Sequence, residues 1–182
     1  MDLEKIGETV GVAIEAILGQ EVFNEYAVDI DFDRHLISFR NRKAFSPPLT
    51  ATRVPLDAML GNRVLPIRVE GRLSVPVIFD LGNGSALDLF PSYWEPQQLL
   101  RDRQCENSET GGAGGKQPVH KCVFQSVSIG GTVVKDVVAN LTSPGATTEN
   151  SEMIKGNVGV GILSRFRVIT DYADNALYLI AH

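Results

Sequence analysis

The sequence is poor in the residues that build metal centres and disulfide frameworks. Its 182 residues contain 2 cysteines and 3 histidines. The cysteines do not form a CxxC pair, and His35, His120 and His182 are scattered, so no pair has the spacing of a zinc motif. We therefore expect no metal site and no cofactor.

The sequence also lacks basic runs and long apolar runs. Lys and Arg number 17 against 22 Asp and Glu, for a net charge of −5, which argues against nucleic acid or an anionic membrane as a partner. No apolar stretch approaches the length of a membrane span, and residues 1–5 do not begin a signal peptide. We expect a soluble chain of unknown location, periplasmic or secreted if it is part of a longer precursor.

What the sequence does contain is a pattern of short apolar runs separated by Gly, Pro, Asn and Asp. Such punctuation is typical of strands and turns, and 43% hydrophobic with 21% charged residues is ordinary globular usage. The pattern predicts strands over 64–69 and 73–79, and a hairpin of 123–129 with 133–141 about a Gly-Gly turn.

Helical signals are fewer. The clearest covers 93–102, with Ser92 as its N-cap. Apolar residues at helical spacing from Leu3 to Leu18 give a weaker signal, because Gly7 and Gly11 interrupt them. The polar segment 143–155 is predicted to be a loop.

An internal repeat organises the chain. A shift of 140 positions places residues 19–39 on 159–179, with Gly19, Val28 and Asp31 falling on identical residues and the apolar positions matching in kind. Each copy reads as Gly, a short helical turn, a strand ending in Asp-aromatic, a tight turn and a final strand. We interpret residues 1–42 as the tail of a preceding repeat, 43–53 as a linker, and 54–182 as a complete repeat.

The motif that carries chemistry follows the apolar run 75–79. It consists of Asp80, Leu81, Gly82, Asn83, Gly84 and Ser85. A carboxylate at the end of an apolar strand is costly to bury, and glycine allows close backbone approach. Taken alone, these residues also fit an ordinary turn after a strand.

Three further stretches give the motif its context. Residues 85–89 follow the loop, Val158 and Gly159 lie in a hydrophobic-hydrophobic-Gly element, and a strand-like run continues through 164–172. In this order the chain resembles the aspartic proteases of the pepsin and retropepsin type, and is most similar to bacterial retropepsin-like proteases with two lobes in one chain. The resemblance implies a mainly β fold, a closed β-barrel lobe with one or two short helices.

The same resemblance implies a function. Asp80 would be a catalytic aspartate of an endopeptidase that cleaves extended peptides with two aspartates and an activated water, without metal or nucleophilic serine. The second aspartate would come from a second protease lobe or a homodimer partner. Leu81 stands where the family has Thr or Ser, whose hydroxyl bonds across the twofold axis. A catalytically inactive peptide-binding or dimerisation module therefore remains the alternative.

A glycine-rich stretch supplies the last family feature. Gly111, Gly112, Ala113, Gly114 and Gly115 resemble the tip of the flap, a hairpin that closes over substrate. An unspecialised surface loop is the other interpretation.

The two cysteines lie symmetrically about this stretch. Cys105 precedes Ala113 by eight residues and Cys122 follows Gly114 by eight. An antiparallel hairpin would place them opposite one another, within bridging distance. Two free thiols are the alternative, and a disulfide would indicate an extracytoplasmic location.

One acidic cluster has no assigned chemistry. Asp29, Asp31 and Asp33 alternate along a strand and turn, without the spacing of a calcium loop. We expect them to lie in a solvated turn.

Overall fold

The computed structural model describes residues 3–101, 103–112, 115–143 and 152–181. The helices are α1 (Leu3–Val10), α2 (Gln20–Glu25), α3 (Pro91–Trp94) and α4 (Val160–Leu163), with a 3-10 helix at Arg42–Ala44. The strands are β1 (Tyr26–Asp31), β2 (Leu36–Asn41), β3 (Thr52–Pro55), β4 (Asp57–Met59), β5 (Asn62–Val69), β6 (Val75–Phe79), β7 (Leu87–Leu89), β8 (Cys105–Gly112), β9 (Gly115–Ile129), β10 (Thr132–Thr142), β11 (Gly156–Val158), β12 (Phe166–Asp171) and β13 (Ala176–Ala181). The predicted mainly β class is confirmed.

The larger sheet closes on itself. Its order is β4-β5-β6-β11-β7-β10-β9-β8, and an additional pairing of β5 with β9 joins the two sides. The strands from β5 round to β9 therefore form a closed barrel, filled by buried side chains that include Leu65, Phe124 and Leu141. The barrel lobe predicted from the resemblance is confirmed.

The smaller sheet has the order β2-β1-β12-β13-β3. Its central pair, β1 and β12, is antiparallel, with Val28 opposite Thr170 and Ile30 opposite Val168. The 140-position shift relates Val28 to Val168 and Ile30 to Thr170, so the register is symmetric about the pair formed by Asp29 and Ile169. Both segments also contain the predicted order of helical turn, strand, turn and strand. Their common origin as a repeat stays a prediction.

One face of this sheet packs against the barrel. Val54, Val168, Leu177 and Leu179 belong to the same buried cluster as the barrel interior. On the opposite face Ile169 and other residues form a separate small cluster with side chains of the segment between β2 and β3. The barrel thus covers the β12, β13 and β3 side of the sheet.

The helix predicted over 93–102 is wrong in its extent. The helix α3 covers only Pro91–Trp94, and Phe90 rather than Ser92 occupies the N-cap. Pro91 suits the first helical position because its fixed φ matches the helix and it has no N–H to satisfy. Turns follow, with Gln98 at a φ of 52°, a left-handed conformation that an α-helix cannot contain. Residue 102 lies outside the described residues.

The expectation of a solvated Asp29 is also wrong. Asp29 is 2% exposed and accepts hydrogen bonds from Arg40 at 2.6 and 2.9 Å and from Arg167 at 2.8 and 2.7 Å. Burial raises the pKa of this carboxyl, but the two guanidinium groups outweigh burial and hold the pKa below its usual range. The ion-pair triad joins β1, β2 and β12 at the centre of symmetry.

None of the helices in the described ranges combines the length and the apolar run that a membrane crossing needs.

Candidate active site

The backbone around Asp80 is fixed by a strand inserted between two others. The strand β11 runs parallel to β6 and antiparallel to β7, so the loop from Asp80 to Ala86 passes around its end. The Asp80 N–H donates to the Val158 carbonyl at 3.1 Å, which continues the parallel pairing by one residue. Asp80 therefore lies at the end of the β6–β11 pairing, at the point where the loop begins.

The Asp80 carboxylate is oriented by two donors. Its Oδ1 accepts from the backbone N–H of Gly82 at 2.8 Å, and its Oδ2 accepts from the side-chain amide of Asn157 at 3.0 Å. The residue is half-buried, so its carboxylate is held in place while still bordering solvent. Oriented carboxylates of this kind are suited to proton transfer.

Close contact between the loop and the start of α4 explains Gly159. A Cβ at this position would lie 2.3 Å from the Ser85 carbonyl oxygen and 2.4 Å from that of Asn83. The Gly159 N–H donates to the Ala86 carbonyl at 3.1 Å, and the Val160 N–H donates to the Asn83 carbonyl at 2.8 Å. The predicted hydrophobic-Gly element thus packs directly on the predicted active-site loop.

A second carboxylate, Asp88, holds the far side of the loop. Its Oδ2 accepts from the Asn83 side-chain amide at 2.7 Å and from the Ser85 hydroxyl at 3.1 Å, and its Oδ1 accepts from the Asn140 side-chain amide at 2.8 Å. Sequence reasoning assigned no role to Asp88. The available signal was a charged residue between Leu87 and Leu89, both of which are fully buried.

The remaining loop positions differ in environment. Leu81 packs against the barrel core, so an apolar contact takes the place of the hydroxyl expected from the resemblance. Gly84 has open space where a side chain would begin. The loop is therefore hydrogen-bonded on its Asn83 and Ser85 side and unobstructed at Gly84.

The electrostatic surroundings of Asp80 include an aromatic residue, Tyr172, from the turn between β12 and β13. Burial raises the pKa of Tyr172, Arg63 lowers it, and the negative charge of Asp80 raises it further. The Arg63 guanidinium lies 4.3 Å from the centre of the Tyr172 ring. The Tyr172 ring also stacks on Phe23 of α2, with the ring centres 5.4 Å apart. This stacking brings α2 into contact with Tyr172, the residue whose pKa is raised by the charge of Asp80.

The glycine-rich stretch lies at the end of a two-stranded hairpin. Strands β8 and β9 pair with Gly111 opposite Lys116 and Gly112 opposite Gly115. Ala113 and Gly114 lie outside the described residues. Action of this hairpin as a flap stays a prediction.

The two cysteines join the same two strands. Cys105 and Cys122 are paired directly across β8 and β9, with their Cα atoms 4.4 Å apart, and their sulfur atoms form a disulfide bond. The bond lies near the β8 end farther from the glycines. It therefore closes the base of the hairpin, where Cys122 also lies opposite Ala139 of β10 in the barrel.

Within the described ranges, no group of three or more His, Cys, Asp or Glu side chains is placed to hold a metal ion. The Asp80 carboxylate instead has amide donors around it.

Comparison with known proteins identifies the fold. No family model matches the chain, and no curated protein matches it. Among solved structures, the chain is similar to a retropepsin-like aspartic protease from Rickettsia conorii, with a TM-score of 0.50, 16% identity, and coverage of 74% of this chain and 95% of that one. An aspartic proteinase from Irpex lacteus has a TM-score of 0.48 and 14% identity, covering 80% of this chain and 51% of that one. The chain has the retropepsin-like aspartic protease fold.

Proposed function

We propose that this chain is part of an aspartic-type endopeptidase in which Asp80 supplies one of two catalytic carboxylates. The observation that carries the proposal is the placement of Asp80, half-buried at the end of β6 with each carboxylate oxygen accepting one hydrogen bond. The fold of the chain, shared with a retropepsin-like aspartic protease, agrees with this assignment.

The chemistry is general acid–base catalysis by a pair of aspartates. Ionising two carboxylates a few ångströms apart is costly because their charges repel. The pair therefore shares one proton over the pH range between its two pKa values, which describe the pair rather than either residue. The ionised member takes a proton from water, which attacks the peptide carbonyl carbon. The protonated member donates to the carbonyl oxygen, and a proton then passes to the leaving nitrogen.

The hairpin of β8 and β9 gives the proposal its substrate class. Extended peptides bind to strand edges through main-chain hydrogen bonds, and side chains then fill alternate pockets. A peptide held between this hairpin and the Asp80 loop would be presented in the extended form that such cleavage needs. The proposed substrate is therefore an extended peptide or an unfolded stretch of a protein, held by the flap residues Gly111 to Gly115.

The dyad requires a second aspartate from another lobe or another chain. The proposed division of this chain comes from the internal repeat, with residues 1–42 as the tail of a preceding lobe, 43–53 as a linker and 54–182 as the Asp80 lobe. The contact between Phe23 and Tyr172 supports this arrangement. It joins residues 1–42 to the Asp80 lobe at a side chain that is influenced by the charge of Asp80.

The test is cleavage of a peptide mixture between pH 3 and pH 8, with and without a transition-state-analogue inhibitor of aspartic proteases. Inhibitor-sensitive cleavage that disappears in Asp80→Ala is the expected result. Cleavage that persists in Asp80→Ala would refute the assignment of Asp80. Peptide binding without cleavage in any preparation that contains both lobes would favour a non-catalytic binding module instead.

A further inference from the structure

One edge of β9 is filled by side chains instead of a neighbouring strand. On this edge β9 pairs with β8 as far as Cys122 and with β5 from Val127, so residues 123–126 lie in a gap between the two pairings. Arg103 donates to the carbonyl of residue 123 at 2.7 Å, and Glu70 accepts from the N–H of residue 125 at 3.0 Å. The side chains of Arg103 and Glu70 therefore close the gap in the main-chain hydrogen bonding.

A cavity of about 850 Å³ lies at this gap, within the range of roughly 300–1,000 Å³ that is typical of ligand pockets. Among the described residues its lining includes three guanidinium groups, from Arg72, Arg101 and Arg103, but one carboxylate, from Glu70. The chain as a whole carries a net charge of −5. The excess of positive charge in this lining is therefore a local feature of the surface.

The arginines of the cavity differ in how many of their donors the fold uses. Arg103 donates through Nε to the Leu99 carbonyl at 3.1 Å and through Nη1 and Nη2 to Glu70 at 3.1 and 2.7 Å. Its guanidinium also lies 3.9 Å from the centre of the Phe124 ring. Arg72 donates through Nη1 to Glu70 at 2.9 Å, and its side chain is 36% exposed. Within the described ranges Nε and Nη2 of Arg72 remain for a ligand, in the fork geometry that suits carboxylate and phosphate groups.

A buried hydroxyl close to these charges lacks an acceptor. Tyr93 is 4% exposed, and its hydroxyl has no hydrogen-bond partner in the part of the chain that the structure describes. Burial raises the pKa of Tyr93, the charge of Arg72 lowers it and the charge of Glu70 raises it, so the hydroxyl lies within the field of two cavity residues. A buried polar group without a partner is costly, and an oxygen acceptor at this place would remove that cost.

An apolar surface borders the cavity. Val123, which is 54% exposed, belongs to the lining, and Val138, which is 40% exposed, lies directly opposite it in the pairing of β9 with β10. Side chains that are directly opposite in an antiparallel pair contact each other on one face of the sheet. The positively charged cavity therefore continues into a small apolar surface formed by two valines.

We propose that this cavity binds an oxyanion, a carboxylate or phosphate group, that is attached to an apolar group. Arg72 donates to the oxyanion, Arg101 adds a second positive charge, and the apolar group lies on Val123 and Val138. An acidic residue next to an apolar residue in a polypeptide has this chemistry, and so does a free anion with an apolar chain.

The proposed anion site is separate from the Asp80 site. Glu70 and Arg72 precede β6, whereas Asp80 follows its other end. The five residues of β6 span about 17 Å. Binding at the cavity therefore does not depend on the cleavage proposed for Asp80.

The experiment titrates the chain with three anionic ligands and follows its backbone amides by NMR. Hexanoate and hexyl phosphate present the oxyanion on a free apolar chain, and an acetylated and amidated Val-Glu-Val peptide presents it within a polypeptide. Saturable shifts are expected at the amides of Gln104, Val123 and Gln125, with binding that weakens as salt is raised. Hexanamide, which has the same chain without the charge, should cause no such shifts. The ligand with the lowest Kd identifies the source of the oxyanion.

Arginine variants locate the binding. Arg72→Gln should raise the Kd of the tightest ligand about tenfold or more, because hydrogen bonds to a charged group contribute that much. Arg101→Gln alters an exposed side chain and should also raise the Kd, which keeps the test decisive if Arg72→Gln does not fold. Arg34→Gln is the matched control, since it removes an exposed arginine from the turn between β1 and β2, and it should keep the parent Kd.

Three results would overturn the proposal. They are unshifted cavity amides with all three anionic ligands, binding of hexanamide as tight as that of hexanoate, and a parent Kd in both Arg72→Gln and Arg101→Gln. Asp80→Asn should leave the Kd unchanged, so a failure of the proposed cleavage and a failure of the anion site are recognised separately.

Discussion

Gly159 packs so closely on the loop that carries Asp80 that the position has no room for a methyl group. A Cβ there would lie 2.3 and 2.4 Å from two carbonyl oxygens, whereas Gly84 in the same loop has open space around it. Gly159→Ala is expected to destabilise the protein by roughly 1–3 kcal/mol, the usual cost of overpacking. Gly84→Ala should stay within about 0.5 kcal/mol of the parent, as surface changes do.

Urea unfolding of both variants measures this difference. Equal midpoints for the two alanine variants would contradict the packing of Gly159 on the loop. A loss confined to Gly159→Ala would support it.

Residue-scale patterns in the sequence are informative where a signal is local, although the catalytic role of Asp80 stays a prediction. Asp80 and Gly159 each lie in a short pattern, and the structure brings the two patterns into contact. Asn157 and Asp29 were missed because their partners are remote in sequence: Asn157 lies 77 positions from Asp80, and Asp29 lies 138 from Arg167. A bond of that range depends on the tertiary arrangement of strands.

At the scale of elements, the disulfide controls the stability of the β8–β9 hairpin. Cys105 and Cys122 are 17 residues apart, and closing a loop of about this length stabilises a folded state by about 3 kcal/mol in the chain-entropy model. Reduction should therefore lower the free energy of unfolding by about that amount and speed amide exchange in β8. The smaller sheet, which the disulfide does not contact, should keep its amide exchange rates.

The control for the disulfide is the double variant Cys105→Ala with Cys122→Ala. Its unfolding midpoint and its exchange rates should not respond to reductant. Identical unfolding of the oxidised and reduced parent proteins would show that the bond contributes nothing to the hairpin.

A carboxylate links the β5–β6 turn to β9 and predicts how stability depends on pH. Burial raises the pKa of Glu70, but hydrogen bonds from Arg103, the Gln125 N–H and Arg72 outweigh burial and lower the pKa from 4.5 to about 2. Because the folded-state pKa is depressed, the stabilisation is complete above about pH 4.5 and is lost as the pH falls towards 2. Linkage makes it about 3 kcal/mol.

The variant Glu70→Gln tests this dependence. It should be less stable than the parent by up to about 3 kcal/mol at pH 7, and the difference should shrink steadily below pH 4.5. Glu106→Gln removes an exposed carboxylate paired with Lys121 at 3.6 Å and should have an effect below about 1 kcal/mol. A Glu70→Gln deficit that is the same at pH 7 and pH 2.5 would contradict the account.

Element-scale prediction depended on turn chemistry. The hairpin of β9 and β10 was predicted because Gly130 and Gly131 can adopt positive φ, and both do, at 57° and 84°. The helix over 93–102 failed because Pro96 lies inside it: proline has no N–H to continue the helix, and residues 95–101 form turns instead. Packing against the barrel decided the outcome there, with Leu99 buried.

On the scale of the whole molecule, the smaller sheet is symmetric about its centre but is covered unequally by the barrel. The register of β1 with β12 is centred on the pair of Asp29 and Ile169, and the barrel covers only one side of the symmetry axis. Sequence comparison of the segment with itself predicted the matching elements. It could not predict which of the two copies is covered, because burial depends on tertiary packing, and the barrel of this chain packs on the second copy.

The most direct test of the central claim compares peptide cleavage and peptide binding in one protein that contains both lobes. In Asp80→Asn the hydrolysis rate should fall by about 10²–10⁴-fold, the usual contribution of a general acid–base group, while the Kd of a non-cleavable peptide changes little. Asp57→Asn, which alters an exposed carboxylate on β4, should keep the parent rate. Parent-like hydrolysis by Asp80→Asn would contradict the assignment of Asp80 as a catalytic carboxylate.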